Sequence, residues 1–227
     1  MRDFFSVLPL FADVPESALE SLSKISHVVY HPKNKTLIAQ EANESTVFFI
    51  RSGYVKLSRL DEEGRECIHR VVKDGFFLPG TSLFYHDPSP ISACCITKTS
   101  VIEVPQIEFE RWIEQFPKAM IRVAGEMNRR LYLMYQWAHQ LAVSGISERV
   151  HFLLTQLATT YGYTEEDGVH IDLPVTQTEV AQMLGVSRES VNRIWSSLVR
   201  SHVLRVQDQS WVLSPDWQMQ ASYLLLS

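Results

Sequence analysis

An α+β protein is predicted, β-rich in its first half and helical in its second, and three observations predict it. From about Val28 to Pro105 seven short β-branched and aromatic runs alternate with turn signals. From Lys118 to Val143 the chain carries no proline and a single glycine. From Gln177 to Leu198 two short helical patterns meet at a glycine. With 227 residues, 45% of them hydrophobic, the chain can bury a substantial core and is long enough for two modest domains.

The seven runs are HVVY, TLIAQ, TVFFI, YVKLSRL, CIHRVV, ISACCIT and SVIEV, separated by PKNK, RSG, DEEG, KDG and HDPSP. Val, Ile, Phe and Tyr fit a pleated, half-buried surface, and Gly, Pro, Asn and Asp end it, so each run reads as a strand. Many short strands at near-regular spacing imply a sandwich or a barrel.

The stretch Lys118–Val143 reads as one long helix, entered just after Pro117. Along it Met120, Ala124, Met127, Leu131, Met134, Ala138 and Leu141 recur in alternating steps of four and three. That period is a coiled-coil seam and predicts a homodimer through this helix, whereas an ordinary core helix carries a broader stripe. Ser144 and Gly145 interrupt it, and Ser147 is placed to cap the next helix, ERVHFLLTQLATTYG, by accepting from orphan backbone amides. The expected divisions are 1–117, 118–144 and 145–227. In the last, YTEEDG reads as a polar loop and VHIDLPV as a short strand.

The segment QTEVAQMLGVSRESVNRIWSSL, from Gln177, has the spacing of a helix-turn-helix. Val180 and Leu184 face inward, Ala181 lets the second helix cross closely, and Gly185 can take the positive φ of the tight turn. Val191, Ile194 and Leu198 then supply the buried face of the second helix. Arg188, Glu189, Asn192 and Arg193 fall together on the opposite face, since positions i, i+1, i+4 and i+5 span a narrow arc. A guanidinium can donate twice to guanine O6 and N7, a carboxylate can accept from cytosine N4, and such a helix fits the major groove of double-stranded DNA. After it, HVLRVQDQSWVLSP reads as two strands about a polar turn, a wing.

Charge favours a local DNA contact over a global one. The chain has a formal net charge of -5. From Gly145 onward five cations stand against nine acids, yet four of those five, Arg188, Arg193, Arg200 and Arg205, lie between 188 and 205. Few phosphate contacts leave room for sequence readout. No apolar run approaches the roughly 18 residues of a spanning helix, and MRDFFSVLPLF lacks the layout of a signal peptide, so a cytosolic protein without a membrane partner is expected. Cys67, Cys94 and Cys95 are an odd set, two of them adjacent, which disfavours a disulfide scaffold. No nucleophile–base set, metal-ligand spacing or phosphate loop marks an enzyme or a metal site.

The order of β-domain, long helix and winged helix-turn-helix resembles the Crp/Fnr family of bacterial transcription regulators. PLFADVPESALESL, VFFIRSGYVKLSRLDEEGRE, FPKAMIRVAGEMNRRL and VTQTEVAQMLGVSRESVNRIWSSL carry the resemblance, which covers nearly the whole chain. It implies a cyclic-nucleotide-binding-like sensor domain folded as a double-stranded β-helix jelly roll, a homodimer, RNA polymerase as a partner, and two-fold symmetric DNA sites. Arg188, Glu189 and Arg193 match the base-reading positions of the catabolite activator branch, implying a TGTGA-like half-site. Thr176, Gln177, Ser187 and Ser190 match phosphate-contacting positions.

The departures bear on the effector. Cyclic-AMP-binding members carry a Gly-Glu pair and then an Arg-Ser pair. Here the stretch is FFLPGTSLFYHDPSPISACC, in which Ser92 survives, Pro90 or Ile91 replaces the arginine and Pro79-Gly80 replaces Gly-Glu. A buried phosphate without its cation is costly, so cyclic AMP is disfavoured and an unidentified small-molecule effector is expected. By resemblance its pocket involves Gly80, Thr81, Ser82, Ser92, Arg130, Met134 and Tyr135. An iron-sulfur cluster is disfavoured because the first 66 residues hold no cysteine. The alternative is a gas or redox sensor using haem or a thiol, with His69, His86, His139 and the cysteines as candidate groups.

Overall fold

The computed structural model describes residues 1–78, 83–84, 86–207 and 210–217. The chain divides into two compact units, Met1–Leu133 and Met134–Ser227, so the division falls inside the long helix.

The first unit begins with α1 (Arg2–Ser6), a 3-10 turn at Pro9–Phe11 and α2 (Glu16–Lys24). Eight strands follow: β1 (His27–His31), β2 (Thr36–Ile38), β3 (Thr46–Ser52), β4 (Val55–Leu60), β5 (Glu66–Val72), β6 (Phe77–Leu78), β7 (Ser92–Cys95) and β8 (Thr99–Pro105). The unit closes with α3 (Gln106–Ile113) and the first part of α4 (Pro117–Val143). The strands form two antiparallel four-stranded sheets, β1-β8-β3-β6 and β2-β7-β4-β5, the non-sequential order of a jelly roll.

Strand β3 shows why TVFFI is apolar throughout. Phe48 and Ile50 point at the second sheet, where they pack with Ile38, Val55, Leu57, Val72, Ala93 and Cys95. Val47 and Phe49 point the other way, into a cluster built from α1, α2, α3 and α4. Alternation with period two therefore survives, but both faces are covered. Phe49 is the hub of the outer cluster, its ring centroid 5.3 Å from Phe5 and 5.7 Å from Phe109. Trp112 closes that cluster and donates its indole N–H to Ser21 Oγ at 3.0 Å. Strand β6 was not expected: only two residues long, it lies in the FFLPG run, which carries no alternation to read.

In the second unit, after the end of α4, come α5 (Ile146–Tyr161), β9 (Gly162–Glu165), β10 (Gly168–Asp172), α6 (Gln177–Leu184), α7 (Arg188–Arg200), β11 (Leu204–Gln207) and β12 (Ser210–Leu213). The four strands form one sheet in the order β11-β12-β10-β9. Three expectations need correction. YTEEDG is not a loop, because Gly162–Glu165 pairs with β10 as a hairpin; its exposed polar side chains hid the strand. Ser147 does not cap α5: the cap is Gly145, whose backbone N–H donates to Glu148 Oε2 at 2.6 Å. On α7 the buried residue is Trp195, with Ile194 only half-buried, and the Trp195 ring meets Trp211 edge-on at 4.8 Å. The predicted wing strands are present, while Asp208 and Gln209 of the QDQS turn lie outside the described residues.

Candidate nucleic-acid interface and effector region

Two side-chain caps set the helix-turn-helix. Thr176 Oγ1 accepts from the Glu179 amide at 3.2 Å, and Glu179 Oε2 accepts from the Thr176 amide at 2.7 Å, a reciprocal box that starts α6. Gly185 ends α6 at φ +64°, and Ser187 Oγ accepts from the Ser190 amide at 3.2 Å to start α7. Val180, Ala181, Leu184, Val191 and Leu198 are buried between the two helices and the unit's core. Thr176 and Ser187 therefore serve as caps, a role the sequence reading did not assign them. Their hydroxyls stand at helix N-termini, where backbone amides and the helix dipole favour an anion such as a DNA phosphate.

With that face buried, Arg188, Glu189, Asn192 and Arg193 are exposed together at the N-terminal half of α7, and Gln177 and Ser190 are half-buried beside it. The Glu189 carboxyl is held below its usual range by its own backbone N–H, helped by the Ser187 hydroxyl and Arg188, so it is an acceptor at neutral pH. Arg188, Arg193 and Arg200 make no ion pair among the described residues, whereas Arg205 is bound to Asp167 Oδ2 at 2.6 Å. On another side of α7, Ile194 and Leu198 join Ile146, Val150, His151 and Trp217 around a cavity of about 470 Å³. Burial there lowers the His151 pKa, and its buried Nε2 has no hydrogen-bond partner among the described residues.

At the junction of α4 and α5, Arg149 donates to the Ser144 carbonyl at 3.0 Å and to the Leu141 carbonyl at 2.7 Å, satisfying acceptors that the helix end leaves open. Along α4, Leu131, Met134 and Leu141 are exposed large apolar side chains, and Ala124 and Ala138 are exposed with them. Met120 and Met127 of the same seam differ, being partly buried against the outer core cluster of the first unit.

The predicted effector residues are placed unevenly. Gly80, Thr81 and Ser82 lie outside the described residues. Ser92 is half-buried on β7 and its hydroxyl accepts from the Gln40 amide at 3.0 Å. Arg130 is mostly buried: its guanidinium lies 3.8 Å from the centroid of the Phe76 ring, donates to the Phe77 carbonyl at 3.3 Å and pairs with Glu126 at 2.9 Å. Burial lowers its pKa to about 10, against the pull of Glu126, so it stays charged at neutral pH. Met134 and Tyr135 are 66% and 67% exposed. Among candidate sensor groups, burial raises the thiol pKa of Cys67 and Cys95, which works against a reactive thiolate.

Residues 28–116 match the family described as cyclic nucleotide-binding domain, and residues 148–219 match the Crp-like helix-turn-helix domain. The chain is 27% identical over 214 residues, 94% of its length and 96% of the other's, to a CRP-like cAMP-activated global transcriptional regulator of Mycobacterium tuberculosis. It is 29% identical over 201 residues, 87% of its length and 94% of the other's, to the cAMP-activated global transcriptional regulator CRP of Salmonella typhimurium. In fold it is similar to FixK2 from Bradyrhizobium japonicum, at TM-score 0.77 and 18% identity over 88% of this chain and 97% of that one. A CooA mutant from Carboxydothermus hydrogenoformans is similar at TM-score 0.74 and 21% identity over 89% of each chain. A jelly roll, a helix-turn-helix, and both domain matches in the order this family uses lead to one assignment: the chain belongs to the Crp/Fnr family of DNA-binding transcription regulators.

Proposed function

We propose that the protein works as a homodimer that reads a two-fold symmetric, TGTGA-like site and answers to an effector other than cyclic AMP. Residues 1–117 form the sensor, 118–144 the dimerisation helix and 145–227 the DNA-binding domain, with RNA polymerase as the further partner that family membership implies. The observation that carries the DNA reading is the joint exposure of Arg188, Glu189, Asn192 and Arg193 on the N-terminal half of α7. Arg188 and Arg193 donate to guanine, Glu189 accepts from cytosine, and Thr176, Gln177, Ser187 and Ser190 hold the phosphates.

The effector differs from the one printed in the relatives' names. No arginine stands at Pro90 or Ile91 to neutralise a cyclic phosphate, and Arg130 is already engaged by Glu126 and the Phe77 carbonyl. Apolar side chains from both sheets also fill the space between them.

Selection of binding sites from randomised DNA tests the reading face. Arg188→Ala is expected to cost roughly 1–3 kcal/mol at the selected site and to relax one guanine position. Glu189→Ala relaxes the cytosine on the other strand, and Gln177→Ala weakens all sequences about equally. An unchanged motif with Arg188→Ala rules out this docking.

A further inference from the structure

We propose that Glu165, Asp167 and His170 form a binding site for one divalent transition-metal ion on the β9–β10 hairpin of the DNA-binding unit. The hairpin register places Tyr163 opposite His170, and Glu165, two residues along from Tyr163, shares their face of the sheet. Asp167 enters from the turn. Its position is fixed by Gly168, whose φ of +140° lets the backbone run against the Leu213 carbonyl where a Cβ would not fit.

The donor atoms converge. His170 Nε2 lies 2.6 Å from Asp167 Oδ1 and 3.6 Å from Glu165 Oε2, and one donor atom from each of the three residues lies within 4.8 Å of the others. Around a four-coordinate ion with bonds near 2.1 Å, donors stand about 3.4 Å apart, so small side-chain shifts complete the geometry.

Neighbouring groups orient the donors. Asp167 Oδ2 is held by Arg205 at 2.6 Å, which leaves Oδ1 for the metal, and the Tyr163 ring stacks on the imidazole at 5.4 Å. The imidazole is only 12% exposed, while both carboxylates open onto a shallow surface depression that Glu166 also lines and that water can enter to complete the coordination shell. Glu165, Glu166 and Asp167 against Arg205 leave a surplus of two negative charges, which matches a divalent cation. A nitrogen donor beside carboxylates favours Zn²⁺, Co²⁺ or Ni²⁺ over Mg²⁺ or Ca²⁺.

Calorimetric titration of chelator-treated, full-length protein with Zn²⁺ alone is the test. One ion per chain is expected, with affinity falling at least about tenfold in His170→Gln and in Asp167→Asn. His27→Gln, which alters an exposed histidine on β1 of the other unit, leaves the titration unchanged. Co²⁺ gives an independent readout, since loss of its visible d–d bands in His170→Gln ties the imidazole to the metal. Arg205→Gln keeps all three ligands and keeps the stoichiometry. The proposal is overturned if the protein takes up no Zn²⁺, or if the one-per-chain site persists at full affinity in His170→Gln.

Discussion

Gly168 and Gly185 both take positive φ, but different forces keep a side chain out of each. At Gly168 an added Cβ would stand 2.0 Å from the Leu213 carbonyl oxygen, so β12 itself must shift; at Gly185 an added Cβ would meet none of the described residues within 4 Å and only the left-handed backbone resists. Gly185→Ala is therefore expected to cost about 1 kcal/mol and Gly185→Asn less, while Gly168→Ala lowers the melting temperature much further. Differential scanning calorimetry of the three variants checks the order. His151 makes the DNA-binding unit sensitive to acid. Burial lowers its folded pKa, so stability is fully present above the unfolded value of about 6.5 and falls as pH drops toward the folded one. His151→Phe keeps a ring beside Trp217 and should flatten the melting temperature between pH 7 and pH 5. Gly185 was legible because the tight turn between two helical patterns has fixed chemistry, whereas the cap at Thr176 was missed although T-x-x-E is the spacing of a capping box. Trp195 was not legible, because Ile194 and Trp195 are neighbours and either could head the buried stripe.

The two faces of α4 meet different surroundings. Val123 is 2% exposed in the core of its own unit, whereas Leu131 is 45% exposed on the seam. Leu131→Glu should dissociate the proposed dimer in sedimentation velocity while leaving the far-ultraviolet circular dichroism of each chain intact; Val123→Glu should unfold the first unit, because it leaves a charge in a packed core. A monomer at micromolar concentration for the unaltered chain removes the coiled-coil assignment. The apolar spacing along α4 was readable since its period is local. That Met120 and Met127 turn partly toward the unit's own core was not, because period alone does not say which neighbour covers a stripe. Strand β9 escaped for a related reason: after its half-buried first residue every side chain is exposed, so no alternation marks it. The β-domain strands were legible because sheet-forming runs and turn residues alternate along it, yet their division into two sheets depends on contacts distant in sequence.

At the scale of the molecule, a net charge of -5 makes binding to DNA depend on a small set of cations. Each neutralised phosphate adds about 0.9 to the slope of log affinity against log salt, so a shallow salt dependence is expected, measurable by fluorescence anisotropy at several ionic strengths. Calorimetry with cyclic AMP should show no saturable heat, since Arg130 would have to leave Glu126 and the Phe77 carbonyl to meet a phosphate. Saturable one-to-one binding overturns that expectation. The tryptophans are also divided between the units. Trp112 is the one indole of the first unit, and the other four of the five, including the edge-on pair Trp195 and Trp211, belong to the second. Two indoles at 4.8 Å exchange excitation energy, and their coupled transitions imprint a paired band on the near-ultraviolet dichroism. Trp112 emits from an apolar shell, so a perturbation that loosens only the first unit should redden the emission and leave the paired band untouched.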